Sequence, residues 1–460
     1  MPPLDTPFDS IFLGDIVTGA GVLRDGYVAA RGERIAAVGA GAPPPARYVH
    51  DHAGCLLFPG LVDGHMHTSS SIGWPGIEGA TRSAAAGGIT TCVDMPYDLP
   101  APVTDASILA EKIGWVERTA HVDMALYGTV RKDGNIEDIA GLAAGGVSAF
   151  KLSTYEYDPV RFPRIDHATM LAAFAEIAKT GLMVAVHNED QELVQFLTGE
   201  ARAEGRTDPL QHCITRPPLG ESMADLAIFE LGLATGAHVH IAHSSIARGT
   251  EIAAAFRAVG AQSTGETCVH YLCMTEDDLV RLRGRGKCNP PFRTAAEVER
   301  MWEELLADRV AYVSTDHAPW PADNKTDPDI FKCGAGLTGL QSFAPLMYSL
   351  LTERGLPPSL MATYCAERPA RFHGLWPKKG AIAPGADCDL LVLEPGAFRF
   401  DEAAIADRPE MRWSPYHNRA MHARVAATVL RGKAVFNGTD VLSGPGTGQF
   451  VRRLAPPLAR

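Results

Sequence analysis

The stretch Cys55-Leu56-Leu57-Phe58-Pro59-Gly60-Leu61-Val62-Asp63-Gly64-His65-Met66-His67 decides how the rest of the chain is read. An apolar run of strand composition ends in two histidines spaced by one residue, and side chains at that spacing leave a strand on the same side. His65 and His67 can therefore offer two imidazoles to one metal ion from the end of a buried strand. Alone the pair carries little weight, because sixteen histidines give roughly one such pair by chance. His50/His52 and His238/His240 are further examples.

Outward from this stretch, short apolar strands alternate with helical segments. Strands are predicted at Leu56–Val62, Ile89–Met95, Asp123–Val130, Val147–Leu152, Leu182–Val186, His238–Ala242, Ala261–Thr267 and Val310–Ser314. Between them Ala106–Arg118, Ala168–Lys179, Ser222–Thr235, Gly249–Val259 and Ala295–Asp308 carry apolar residues at helical spacing. Strand followed by helix, eight times, predicts an α/β fold, the (β/α)8 TIM barrel, with its active site where the strands end. The chain ends break this alternation. Ile11–Val38, Asp389–Leu393 and Val425–Phe436 read as short strands too poor in apolar residues for separate cores, so one small composite β-sandwich built from both termini is expected. The expected division is 1–58 for the first part of the sandwich, 59–378 for the catalytic barrel and 379–460 for the second part.

Composition excludes several classes. A length of 460 residues suits one barrel with an added module, and no apolar run reaches the roughly 18 residues of a membrane span. The start, Met1-Pro2-Pro3-Leu4-Asp5, lacks the basic and apolar regions of a signal peptide, so a cytoplasmic location is expected. Nine cysteines, an odd number with no Cys-x-x-Cys pair, read as reduced thiols. A net charge of −12 argues against nucleic acid and membrane as partners.

Polar residues punctuate the strand ends. His65 and His67 follow the first strand, Lys151 closes the fourth, His187 the fifth, His243 the sixth and Asp316 the eighth. A lysine ending the apolar run Val147–Phe150 is costly unless paired or discharged. A neutral amine that takes up carbon dioxide becomes a carbamate able to bridge two cations, so N6-carboxylysine is expected at Lys151. The constellation reads as two divalent metal ions, zinc by preference: His65, His67 and Asp316 on one, His187 and His243 on the other, Lys151 between. Singly, each residue has an ordinary reading as core histidine, edge charge or helix cap. Six metal-competent residues at five strand ends outweigh those readings. Eight other histidines, His50, His52, His121, His167, His212, His373, His417 and His422, are taken as structural or surface groups.

The chain also resembles the cyclic amidohydrolases: dihydroorotases, hydantoinases or dihydropyrimidinases, and allantoinases. The resemblance rests on Pro59–His67, Gly87–Thr91, Phe150-Lys151, Val186–Glu189, His240–Ser245, Glu266–Tyr271, Lys287–Pro291, Ser314–Pro319, Lys379–Asp389 and Ser414–Tyr416, almost end to end. It implies the composite sandwich, the carbamylated lysine, the two-metal site and a homotetramer (or homodimer). It also implies hydrolysis of a small-molecule cyclic amide by a hydroxide shared between the metals, with Asp316 as base and then acid. Substrate contacts are expected from Ser69, Tyr155, Asn289, His317 and Gly334, with His270 behind the ligands. Tyr155 would donate to the oxyanion, although the hydantoinase spacing of five residues after the lysine falls on Glu156. Dihydroorotases carry an arginine where Ser69 stands, so no cation is expected near the histidine pair and a neutral ring is favoured. Gly334–Ser342, Ala203–Arg206, Met301-Trp302 and Gly448–Phe450 are most similar to allantoinases, whereas the short Ser69–Gly76 loop is not. Opening of allantoin to allantoate is the leading expectation. Hydantoinase or another cyclic imide hydrolase is the alternative, followed by dihydroorotase and then a non-catalytic scaffold.

Overall fold

The computed structural model describes residues 7–454; Met1–Asp5, read above for targeting, lies outside them. Its strands are β1 Phe8–Thr18, β2 Gly21–Arg31, β3 Arg34–Ala40, β4 Ala46–Pro59, β5 Leu61–Met66, β6 Ile89–Asp94, β7 Asp123–Gly128, β8 Ala149–Ser153, β9 Met183–His187, β10 His238–Ile241, β11 Ser263–Gly265, β12 Thr267–Cys268, β13 Val313–Ser314, β14 Leu390–Arg399, β15 Ala420–Leu430 and β16 Lys433–Phe436.

Strands β5 to β11 lie side by side in chain order, and each of these pairs is parallel. The ring closes through β12 and β13, which pair with each other, and through a parallel bridge from Met66 on β5 to His317 beyond β13. Every residue of β5 to β9 is buried, as expected of strands covered on both faces by the barrel interior and the surrounding helices. Helices start on side-chain caps: Asp105 accepts from the amides of Ser107 and Ile108, Asp166 from Thr169, Asp190 from Leu193 and Thr294 from Glu297. The helices Ile139–Gly145, His167–Thr180 and Pro218–Thr235 end on glycines in the left-handed region, Gly146, Gly181 and Gly236, at φ 102°, 68° and 74°.

The first predicted strand, Leu56–Val62, is in fact two. Leu56 to Pro59 finish β4 and pair with Leu390–Leu393 of β14, whereas Leu61 opens the barrel beside Ile89. Gly60 is the crossing point: its amide donates to Asp389 O, and a Cβ there would collide with the Thr90 side chain. A continuous apolar run hides this change of sheet, because both halves are buried.

The terminal strands form one seven-stranded sheet in the order β16-β15-β14-β4-β1-β2-β3. Its two ends meet over a single apolar core, in which Phe12, Val28, Ala30 and Ile35 pack with Leu390, Val392 and Val429. Neither terminus supplies that core alone. The sandwich is tied to the barrel by Lys379, whose Nζ lies 2.5 Å from Asp123 on β7 and 2.8 Å from both Asp387 and Asp389. Arg431 at the end of β15 pairs with the other oxygen of Asp123. Among the described residues no helix is long and apolar enough to cross a membrane.

Candidate metal centre

The sequence-predicted ligands converge at the carboxyl ends of the barrel strands. His65 stands in β5 and His67 just beyond it, so the pleat sends both rings the same way, centroids 5.5 Å apart. Lys151 lies within β8 and His187 ends β9. His243 and Asp316 each follow a strand by two residues, and each adopts φ 43°, the left-handed region that non-glycine residues avoid. Such strain costs about 1–3 kcal/mol and persists where the surroundings impose it, often at functional sites. Here it turns both side chains inward.

Distances follow from that convergence. Asp316 Oδ1 lies 3.3 Å from His65 Nε2 and 3.5 Å from His67 Nε2, and His187 Nδ1 faces His243 Nε2 at 2.9 Å. Donor atoms of His65, His243 and Asp316 fall within 4.8 Å of one another. Two nitrogens bound to one tetrahedral zinc sit about 3.3 Å apart by the same geometry. The donor set fits divalent cations on a further ground. Lys151 Nζ, His65 Nε2 and His243 Nδ1 are buried with no hydrogen-bond partner among the described residues, a cost that a native site offsets with a ligand.

Burial, and then the nearby Lys151, hold His65, His67 and His243 below the ordinary imidazole range, His67 at about 3. Burial also lowers His187, against the upward pull of Glu189. All four rings are thus neutral at pH 7 and able to ligate. Burial pushes Lys151 down to about 8, opposed by Glu266 and Asp316, and pushes Asp316 up to about 7, opposed by Lys151.

A buried outer shell orients the rings. His65 Nδ1 bonds Glu266, and His187 Nε2 bonds Glu189 at 2.9 Å; Glu189 in turn pairs with Arg216. Ser70 Oγ donates to Tyr97 O at 3.0 Å and lies 3.2 Å from His67 Nδ1, so the ring proton sits on Nδ1 and Nε2 is free for the site. Asp63 accepts from the Thr315 amide at 3.0 Å and its hydroxyl at 2.5 Å, which fixes the turn bearing Asp316. Glu266, Glu189, Asp63 and Ser70 were given no role by the sequence reading. The available signal was a charged or polar residue inside each of the apolar strand-end motifs.

The cavity above the centre, open to solvent, is bounded by His67, Ser70, Lys151, His187, His243 and Asp316 on the metal side. Tyr157, Arg161, Phe162, Asn289, Trp320, Ala335 and Gly336 form much of the rest. Of the expected substrate contacts Asn289 is in this wall. Ser69, Tyr155 and Gly334 are not; their neighbours Ser70, Tyr157, Ala335 and Gly336 are. The Ser69 hydroxyl bonds Thr68, the Tyr155 ring packs under Arg216 at 4.5 Å, and Gly334 abuts the Trp320 ring. His317 accepts the Gly339 amide on Nδ1 at 3.2 Å, so its proton is on buried Nε2, and His270 is a buried neutral ring stacked edge-on to Tyr271. The Ser69–Gly76 loop reaches Pro319 through Ser71 Oγ, at 2.7 Å. Arg161 is a cation that the reading based on Ser69 missed.

Residues 56–435 match the amidohydrolase family model. An allantoinase of Rubrobacter xylanophilus is 37% identical over 95% of this chain and 97% of its own, and one of Solibacter usitatus is 35% identical over 97% of each. In structure, the L-hydantoinase (dihydropyrimidinase) of Arthrobacter aurescens superposes with a TM-score of 0.92 at 28% identity, covering 97% of this chain and all of that one. A D-hydantoinase gives 0.90 at 27% identity, over 98% and 100%.

Proposed function

The chain belongs to the amidohydrolase family, and on that footing we propose that it is a metal-dependent hydrolase that opens the hydantoin ring of allantoin to give allantoate. His65, His67 and Asp316 would hold one divalent ion, His187 and His243 a second, and Lys151, as its carbamate, would bridge them; zinc suits this donor set best. When bound, the ions supply Lewis acidity, polarising the ring carbonyl and acidifying water.

The chain's own residues do the rest. Asp316 takes the proton of the attacking water and delivers it to the leaving ring nitrogen, as the new C–O bond forms and the ring C–N bond breaks. Tyr157, kept protonated by burial, lines the cavity beside His187 and donates to the developing oxyanion. That role was first expected of Tyr155. Phe162 and Trp320 exclude water from the faces of the ring.

The single observation that carries the reading is the convergence of Lys151 with the four imidazoles and Asp316 at the barrel mouth. Allantoin, among cyclic amides, is supported by the allantoinase relatives at 37% and 35% identity. The fold likeness to hydantoinases keeps hydantoin itself as the second reading. Homotetramers or homodimers are favoured by Leu219, Met223 and Leu226, which lie about one helical turn apart on the 218–235 helix and are 58%, 45% and 44% exposed. Ring opening by the zinc-loaded protein, measured on allantoin, hydantoin, dihydrouracil, dihydroorotate and succinimide, tests the assignment. Preference for dihydroorotate over every neutral ring would replace it.

A further inference from the structure

We propose that Arg161 is a specificity-determining residue whose guanidinium pairs a planar oxygen acceptor that the substrate carries outside the hydrolysed ring, the carbonyl of a ureido arm. This rests on the ring-opening reading above and adds to it the feature that separates one cyclic ureide from another.

Arg161 is held in place by its turn. The Asp158 carboxylate accepts the amides of Val160 at 2.9 Å and Arg161 at 2.7 Å, and the backbones of Asp158 and Phe162 bond each other in both directions. Phe162 is clamped between Tyr97, stacked with centroids 3.8 Å apart, and Tyr157 at 5.5 Å, with its edge to His187. The turn is thus packed against a metal-site residue rather than trailing into solvent.

The guanidinium has capacity to spare. Its one side-chain hydrogen bond among the described residues runs from Nη1 to Tyr97 O at 3.2 Å, the same carbonyl that takes the Ser70 hydroxyl beside His67. Two carboxylates act on it electrostatically, and both are engaged elsewhere: Asp158 through Oδ1 with the turn amides, and Asp98 with Lys112 Nζ at 2.7 Å. Within the cavity wall Lys151 and Arg161 are the two cationic side chains, and Lys151 belongs to the metal centre. A fork of N–H donors in a partly closed cavity costs desolvation unless an acceptor meets it. A planar carbonyl or carboxylate is the group its geometry fits.

Binding is measured by calorimetry on the zinc-loaded Asp316→Asn protein, in which turnover is suppressed, with and without Arg161→Met or Arg161→Lys. The ligands are hydantoin, 5-ureidohydantoin (allantoin) and hydantoin-5-acetate. Arg161→Met is expected to weaken allantoin at least tenfold and hydantoin less than threefold, with Arg161→Lys between. Parallel losses on both rings, or none on allantoin, overturn the assignment, and so does a loss confined to hydantoin-5-acetate. Ring opening is followed separately in the protein with Asp316 intact. If none of the three rings is opened while the binding pattern holds, the hydrolase reading fails and the role of Arg161 stands.

Discussion

Replacing Lys151 with alanine tests the two-metal centre most directly. Its Nζ is buried with no hydrogen-bond partner among the described residues, and burial brings its pKa from the ordinary 10.5 down to about 8. At pH 8 about half of such an amine is neutral, against about 0.3% for an ordinary lysine, so over a hundredfold more is available to add carbon dioxide. On the proposed reading, a second ion would then be left with only the two imidazoles of His187 and His243. Metal content should fall toward one ion per chain. Turnover should fall about a thousandfold, corresponding to loss of about 4 kcal/mol of transition-state stabilisation. Metal analysis and ring-opening rates of the same preparation measure both. Acetate or propionate should restore part of the activity by filling the gap with a carboxylate, and carbon-13 bicarbonate should label the native protein but not the variant. A Lys151→Ala protein that is fully metallated and active without added acid would refute the reasoning.

Asp316→Asn should keep the fold and reduce turnover by at least about a hundredfold, the scale of general acid/base catalysis; near-native rates at full metal occupancy would place the proton transfer elsewhere. Glu266→Gln, which weakens the partner of His65 Nδ1, should lower metal affinity about 10- to 100-fold, read by competition with a chelator, and unchanged affinity would make Glu266 a structural group only. Lys379→Met leaves Asp123, Asp387 and Asp389 buried with Arg431 and Arg34 as their remaining cations. It should cost about 3–5 kcal/mol, seen as a lower urea midpoint, and an unchanged midpoint would show that the cluster does not hold the sandwich to the barrel.

The alternation of strand and helix was legible because hydrophobic periodicity is local: apolar runs of strand length and stripes at helical spacing report burial without knowledge of the neighbours. The ends of helices such as Ala106–Thr119 and His167–Thr180 agree with the predicted ones within a residue, since their Asp caps and the Gly181 terminus are written in the sequence. The break at Gly60 was not legible. Both sides of it are buried, and only pairing with β14 on one side and β6 on the other separates sandwich from barrel.

The grouping of metal-competent side chains at the strand ends could likewise be read from the chain, because a pleated strand fixes which residues share a side. Loops carry no such period. Whether Ser69 or Ser70, Tyr155 or Tyr157, Gly334 or Ala335 faces the cavity depends on the turns that carry them, and there neighbouring residues diverge. The partners Glu266, Glu189 and Asp63, and the guanidinium of Arg161, meet the site from strands and turns far apart in sequence. The sequence by itself determined the barrel, the composite second module and the metal-competent residues at its mouth, since each follows from short-range pattern. Only the tertiary structure decided how those residues are oriented and which side chains a substrate meets, because those depend on contacts between distant segments and on backbone turns such as the left-handed His243 and Asp316.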